Sequence, residues 1–328
     1  MKAAVIMGPG QTPSYQSFVD PEPGSDQHCV LSVTAAALTP VAKAMASGVH
    51  YAKEGAYPFI AGLDGVGTSA GGQRLYFARG QAPFGAYAEQ VLVAHDDCIP
   101  LPDGVDDITA AAIANPGLSS VAALRSSVNL TPGETVLIHG ATGAAGSLAV
   151  VLARRLGAQR VVATGRSADS LRRLEGLGAD VTIELNDADA ATAALTQEFA
   201  ACGVDVVLDY IYGAPSDVVL SAIANAANSM RPVRYCVVGG VGSAVTAISS
   251  GLLRAAPVTV MGSGIGSVSW PDFVAATAAV LAEAASGGLS IATTTVALSD
   301  VGQVWDRTDS RTRVVFTPAG KAAPQTVR

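Results

Sequence analysis

The apolar positions divide the chain into two kinds of sequence. Up to about residue 118, short β-type runs at 2–7, 29–35, 74–78 and 86–94 are separated by Pro- and Gly-rich stretches, which predicts an irregular, mostly antiparallel lobe. From about residue 119 the runs become continuous and apolar, at 135–139, 160–164, 204–209, 235–238 and 258–261, with Ala- and Leu-rich helical segments such as 147–156 between them. Strand and helix in repetition predict parallel βαβ units, because a strand covered on both faces has no polar side to show. A helix is predicted from Trp270 and Pro271 to about residue 286, and the strands at 291–297 and 313–316 that follow it are expected to return to the first lobe. The predicted fold class is α/β: a doubly wound parallel sheet over 119–266, and an irregular antiparallel lobe over 1–118 completed by 267–328.

Composition narrows what such a fold can do. The 328 residues are 49% hydrophobic and 14% charged, which suits a chain with a large buried core and excludes a disordered one. A net charge of -7 argues against non-specific attraction to nucleic acid or an anionic membrane and points to a small-molecule partner. No apolar run reaches the roughly 18 residues of a membrane span, and the run at 3–7 stops at Gly8 and Pro9, too short for a secretion signal. Cys29, Cys98, Cys202 and Cys236 are isolated, with neither metal-knuckle nor disulfide-framework spacing, so a reducing cytoplasm is expected.

The most informative segment is Thr135-Val-Leu-Ile-His-Gly-Ala-Thr-Gly-Ala-Ala-Gly146, a strand running through a small-residue loop into a helix. Its core, Ala141-Thr142-Gly143-Ala144-Ala145-Gly146, is a dinucleotide fingerprint with alanine at the first glycine position. Gly143 would let a pyrophosphate approach the backbone and Gly146 would let the helix pack on the strand, while the helix N-terminus offers free amides to the anion. The parallel sheet is accordingly read as Rossmann-type. About 20 residues further on, where an NAD site places an acid on the ribose hydroxyls, the chain reads Thr164-Gly165-Arg166-Ser167. A carboxylate there would repel a 2′-phosphate, whereas Arg166 can grip one and Ser167 can add a hydroxyl, so the expected cofactor is NADPH. Arg172 and Arg173 read as surface charges. Open α/β sheets bind ligands at the carboxyl ends of their strands, which adds Asp209, Tyr210, Val238, Gly239, Gly240, Gly262 and Ser263, with Asn115 in the link between the domains.

Taken together, these segments resemble the medium-chain dehydrogenase/reductase superfamily, in particular its zinc-free quinone oxidoreductase branch of the zeta-crystallin type. The resemblance covers essentially the whole chain. It rests on the order and spacing of Ala35-Ala-Ala-Leu-Thr-Pro40, Ser47-Gly48, Pro58-Phe-Ile-Ala-Gly-Leu-Asp-Gly-Val-Gly67, Phe84-Gly-Ala-Tyr-Ala-Glu89, the 131–146 segment and Leu177-Gly-Ala-Asp180. It implies a GroES-like catalytic lobe made from both chain ends, a Rossmann domain between them, NADPH in the cleft, and a homodimer paired through the edge strand at 258–261. Zinc-bearing relatives place a Cys near Thr39 to Val41 and a His-Glu pair where this chain has Leu63 and Asp64. Catalytic zinc takes about three protein ligands and only Asp64 remains, so no metal is expected; the four-cysteine lobe of those relatives is also missing from 68–83.

Without zinc, hydride transfer suits an acceptor that delocalises its own charge, a quinone or an α,β-unsaturated carbonyl. The alternatives are an NADPH-dependent carbonyl or imine reductase of a biosynthetic intermediate and a low-turnover NADPH-binding protein. By resemblance to enoyl reductases of polyketide assembly lines, Tyr51 is the candidate acid and His50 the second choice, with solvent as a third source of the proton. His139 reads as a satisfied semi-buried residue, and His28 and His95 as surface residues. Asp64 is open between a cap, a pocket wall and a former ligand position, the cap being favoured. Tyr51, Tyr57, Phe59, Phe84, Tyr87 and Trp270 could border a pocket for a flat ring or could be core.

Overall fold

The computed structural model describes residues 1–51, 56–307 and 312–318. The chain forms two compact units, Met1–Asn115 with Thr277–Arg328, and Pro116–Ala276. The sequence pattern predicts boundaries at 118/119 and 266/267. In the structure both crossings fall inside helices, because the apolar stretches there run on as continuous helical turns.

The first unit begins with strands β1 (Lys2–Ile6), β2 (Ser14–Ser17) and β3 (His28–Ala37), helix α1 (Pro40–Ser47), and then β4 (Phe59–Ile60), β5 (Gly65–Thr68), β6 (Arg74–Phe77), β7 (Gln90–Ala94) and β8 (Cys98–Pro100). Helix α2 (Asp107–Ala122) carries the chain into the second unit. One sheet has the order β2-β1-β4; a second runs β3-β5-β6-β8, with β7 also paired to β3, and is extended on the other side of β3 by two strands from the end of the chain, at Arg313–Thr317 and Thr293–Ala297. Period-two alternation splits β1 between two cores: Ala4 and Ile6 join the main cluster with Leu31, Phe77 and Phe316, while Ala3 and Val5 join a smaller one with Ile60 and Ala88. Helix α1 starts where Thr39 Oγ1 accepts the Ala42 amide at 3.1 Å and Pro40 presets the first turn, and it ends at Gly48, whose φ of +80° favours glycine. The predicted strand at 86–94 shortens to Gln90–Ala94. Residues 86–89 instead cross β1, with Ala88 bridged to Ala3 and the Tyr87 amide donating to Ala61.

The second unit is a doubly wound sheet: β9 (Thr135–His139), α3 (Ala144–Arg155), β10 (Arg160–Gly165), α4 (Ala168–Gly176), β11 (Val181–Glu184), α5 (Ala188–Gln197), β12 (Val206–Asp209), α6 (Asp217–Ala226), β13 (Val233–Val237), α7 (Ser250–Ala255) and β14 (Val258–Gly262). The pairings are parallel, in the order β11-β10-β9-β12-β13-β14. This is the Rossmann order, with the first strand beside the switch point. Alternate residues face opposite layers: Val136, Ile138, Val161 and Ala163 pack with α3 and α4, and Leu137, Val162, Val207 and Tyr235 with α5 and α6. Both faces are covered, which is why these strands read as unbroken apolar runs. Strand β11 is absent from the sequence prediction, since Val-Thr-Ile-Glu at a sheet edge is too short and too polar to stand out.

Helix α8 (Trp270–Ala285) leads back to the first unit, where β15 (Thr293–Ala297), α9 (Val301–Val304) and β16 (Arg313–Thr317) complete the second sheet on β3. Among the described residues, no helix is long and apolar enough to cross a membrane.

Candidate cofactor site and active-site residues

The turn from β9 into α3 is built to leave amides open. Gly143 is the N-cap of α3, and no side chain caps this helix. By contrast, Ser167 Oγ accepts the Ser170 amide at the start of α4, and the Asp187 carboxylate accepts the Asp189 and Ala190 amides at the start of α5. The turn cannot tolerate bulk on its inner side: a Cβ at Gly146 would lie 2.6 Å from Ala141 Cα. On its outer side a Cβ at Gly143 would meet only the Gly140 carbonyl, at 3.8 Å. Ala141 is buried and its amide donates to the Thr164 carbonyl at 2.8 Å. Thr142 lies over Gly165, where any Cβ would come within 3.0 Å of Thr142 Oγ1, so turn and strand end are in contact. Half-buried Ala144 and Ala145 form the first helical turn, with their amides at the positive end of the helix. An uncapped N-terminus, a close-packed glycine behind it and an open face in front fit a dinucleotide pyrophosphate.

Past Gly165, Arg166 and Ser167 are exposed. Asn186 Nδ2 donates to the Arg166 carbonyl at 2.9 Å and also to the Glu184 carboxylate. Glu184 lies opposite Gly165 in the β10/β11 pairing. This acid, held by an amide on the neighbouring strand, has no signal in the sequence at the end of β10, because only the β10/β11 register brings it there.

Parallel register gathers the remaining expected cofactor residues of this unit. His139 lies opposite Asp209, Asp209 opposite Val237, and Val237 opposite Gly262. The Val238 and Gly239 amides donate to the Asp209 carbonyl at 2.8 and 3.0 Å, and the Ser263 amide donates to Val237 at 2.9 Å. A Cβ at Gly239 would sit 2.5 Å from the Tyr210 carbonyl oxygen, so the loops after β12 and β13 touch; Gly240 follows on the same loop, half-open to solvent or more. Tyr210 turns inward, its hydroxyl 2.7 Å from that of Ser120, which leaves its backbone for the outer face.

Under this loop the Asp209 carboxylate is fully buried and fully used. Oδ1 accepts the Ile211 and Tyr212 amides at 2.8 and 2.9 Å, and Oδ2 accepts the Ser216 and Tyr235 hydroxyls, each at 2.6 Å. The carboxylate thereby fixes a loop in which Tyr212 takes a φ of +53°. The neighbouring His139 is buried, with Nδ1 2.9 Å from Thr164 Oγ1 and Nε2 3.1 Å from the Pro215 carbonyl, and burial lowers its proton affinity against the pull of Asp209. It is a structural histidine. Ser216 and Tyr235 carry no sequence signal for this role, because only the fold brings them to Asp209.

In the first unit, His50 and Tyr51 follow the C-cap of α1 and stack with ring centroids 4.5 Å apart; Tyr51 is 73% exposed and burial lowers the His50 proton affinity. His95 is exposed, while His28 is half-buried in β3 beside the Ser25 hydroxyl. Tyr57 and Phe59 pack together, Phe84 meets Phe18, and Trp270, in the second unit, meets Phe273. Tyr87 is core: it is buried against Trp305 and Phe316, and its hydroxyl donates to the Ala37 carbonyl at 2.7 Å.

Asp64 is not a cap. It is buried, accepts the Tyr76 hydroxyl and the Asn115 amide (3.1 Å), and caps no helix because the sheet encloses it. Burial raises its carboxyl to about 6 against the pull of Tyr76, Arg313 and Asn115. Arg313, on β16, faces the same cluster, and its Nη1 is buried with no hydrogen-bond partner among the described residues. Its signal in the sequence was a lone cation at the head of the apolar run Arg313-Val-Val-Phe316. Asn115, expected near the nicotinamide, spends its amide on Asp64. Among the described residues, no group of three or more His, Cys, Asp or Glu is arranged to hold a metal.

A Rossmann sheet whose first strand runs through an open turn into an uncapped helix is a fold suited to holding a dinucleotide. The family model described as zinc-binding dehydrogenase matches residues 144–282. The chain is 28% identical to the probable NADPH-dependent quinone reductase tdiC of Emericella nidulans, over 93% of this chain and 96% of that protein. It is 32% identical to a quinone oxidoreductase of Pseudomonas aeruginosa over 44% of this chain and 48% of the relative. The solved quinone oxidoreductase of Pseudomonas syringae superposes with a TM-score of 0.80 at 25% identity, over 96% of this chain and 99% of that one. In sequence and in fold the chain is therefore similar to quinone oxidoreductases, over nearly its whole length for tdiC and for the Pseudomonas syringae protein.

Proposed function

We propose that this protein is an NADPH-dependent reductase that delivers hydride to a quinone or an α,β-unsaturated carbonyl without zinc. The observation that carries the reading is the uncapped start of α3 beside Arg166: amides for a pyrophosphate and a cation for an additional phosphate, on adjoining turns. NADPH, when bound, supplies the hydride. The amides of Ala144 and Ala145 hold the pyrophosphate, Gly143, whose own amide donates to the Gly140 carbonyl at 3.4 Å, leaves it room, and Thr142 and Gly165 keep the two turns in contact. Arg166 and the Ser167 hydroxyl take the 2′-phosphate; Ser167 Oγ already accepts the Ser170 amide but keeps its own proton to donate. The backbone of Tyr210, Val238, Gly239, Gly240 and Ser263 lines the nicotinamide side, on a loop that Asp209 holds rigid. In the first unit Tyr51 is the proposed acid, with His50 stacked on it, and Asn115 has its amide committed to Asp64. Zinc independence is supported by the residue types at the former ligand positions, Leu63 among them, and by both Asp64 oxygens being occupied, one by the Tyr76 hydroxyl and the other by the Asn115 amide. A homodimer through β14, which ends the parallel sheet, is part of the same proposal.

The test is NADPH oxidation with a panel of quinones, enones and simple ketones, with and without a chelator. Quinone and enone turnover that the chelator leaves unchanged is expected, and Tyr51→Phe should lower kcat on enones by roughly 10²-fold at constant KM if Tyr51 is the acid. Chelator inhibition reversed by zinc would overturn the metal-free reading, and tight NADPH binding with no turnover of any acceptor would overturn the reductase reading. Light scattering at the mass of one chain would overturn the dimer.

A further inference from the structure

The four cysteines look isolated in sequence, but the fold brings two of them together. Cys29 is the second residue of β3, and β7 runs antiparallel to it with Val93 opposite Cys29 and Ala94 opposite His28. A single turn of 3₁₀ helix, His95–Asp97, then folds the chain back so that Cys98 opens β8 with its thiol donating to the Ala94 carbonyl at 3.5 Å. That places Cys98 beside the start of β3, with its thiol on the carbonyl of the residue that faces His28, Cys29 being the next residue along β3 and one of the groups that act on the Cys98 thiol. Both side chains pack on the same apolar cluster while keeping part of their surface open to solvent. The other two differ: Cys236 is buried in the second unit, and Cys202, though exposed, belongs to that unit as well.

We propose that Cys29 and Cys98 form a dithiol that a small organic disulfide oxidises to an intramolecular disulfide, a modification site in the first unit. Burial first, and then Cys29 itself, push the Cys98 thiol up to about 12, so Cys98 does not start the exchange. The Cys29 thiolate attacks one sulfur of the small disulfide, forming a mixed disulfide and releasing the first small thiolate. Cys98 then gives up its proton and its sulfur attacks Cys29, releasing the second small thiolate. Two protein thiols are oxidised to one disulfide, one small disulfide is reduced to two thiols, and the two thiol protons pass to the products. The staple would tie the start of β3 to β8.

The experiment uses the full-length native protein and oxidised glutathione, read by intact mass, thiol count and peptide mapping. The expected result is a product about 2 Da lighter, with two thiols lost and one peptide pair joining Cys29 to Cys98. Closure should quicken roughly tenfold per pH unit between about pH 7 and 9, because Cys98 must deprotonate. Cys98→Ser should stop at a mixed disulfide on Cys29, and Cys202→Ser should leave closure unchanged. Recovery of Cys29 and Cys98 as free thiols under excess oxidant, or as two separate mixed disulfides, would overturn the proposal. Both of those results are read on the unmutated protein, so they stand even if a variant fails to fold.

Discussion

Asp209 in the second unit and Asp64 in the first are both buried, and they are held in different ways. Asp209, at the carboxyl end of β12, receives two backbone amides and two hydroxyls. Asp64, just ahead of β5, accepts the Tyr76 hydroxyl, the Asn115 amide and its own backbone amide, in a cluster whose cation, Arg313, keeps a buried Nη1 unpartnered among the described residues. Donors from the backbone bind a carboxylate to the path of the chain, so Asp209 acts as a clamp on the loop after its strand. Around Asp64 desolvation outweighs the donors it has, so Asp64 keeps its proton to about pH 6. Asp209 thus builds a loop, and Asp64 gives the first unit a response to pH.

The largest effect should come from removing the clamp. Asp209→Ala strands two amides and two hydroxyls in the core, and a loss of about 4 kcal/mol is expected in denaturant unfolding. A loss under about 1 kcal/mol would mean that water replaces the carboxylate and that the clamp is dispensable.

Next comes the pH response of the first unit. The Asp64 carboxyl titrates near 3.8 when unfolded and near 6 when folded, so between those values the folded state holds the proton that the unfolded chain has released. Its contribution to stability is complete below 3.8 and is lost as pH rises through 6, an amplitude of roughly 3 kcal/mol. Asp64→Asn should flatten that slope in unfolding experiments across the window. An unchanged slope would assign the response to other groups.

The smallest expected effect is at the capped neighbour of the open turn. Ser167→Ala removes the N-cap of α4 and should cost about 1 kcal/mol of stability. Under the proposed function it should also weaken NADPH binding several-fold while sparing NADH. Stability loss without any change in that preference would leave Ser167 as a cap alone.

The two units also differed in how far their sequences could be read. In the second, βαβ repetition and the Ala141–Gly146 turn disclosed the sheet, the turn and the residues at the strand ends, because buried parallel strands and phosphate-binding turns leave local signals. What stayed hidden there was non-local: Ser216 and Tyr235 around Asp209, Glu184 across from Gly165, and the short strand β11. In the first unit, β3 and β16 stood out as apolar runs, but Tyr87 could not be assigned to core rather than pocket. Asp64 was read as a cap because short polar residues before a strand usually serve locally. Its partners Tyr76, Asn115 and Arg313 come from three separate parts of the chain. The meeting of Cys29 with Cys98 was hidden in the same way, since it depends on register between β3 and β7 and on the turn that follows.

The central claim is that the second unit holds a dinucleotide at the uncapped turn and selects its phosphate with Arg166. It is tested most directly by titrating NADPH and NADH into the native protein and into Arg166→Glu. NADPH should bind the native protein at least tenfold tighter than NADH, and the substitution should weaken NADPH by roughly 30- to 100-fold, about 2 to 3 kcal/mol, while changing NADH by less than about threefold. Equal losses for both dinucleotides, or tighter binding of NADH by the native protein, would contradict it.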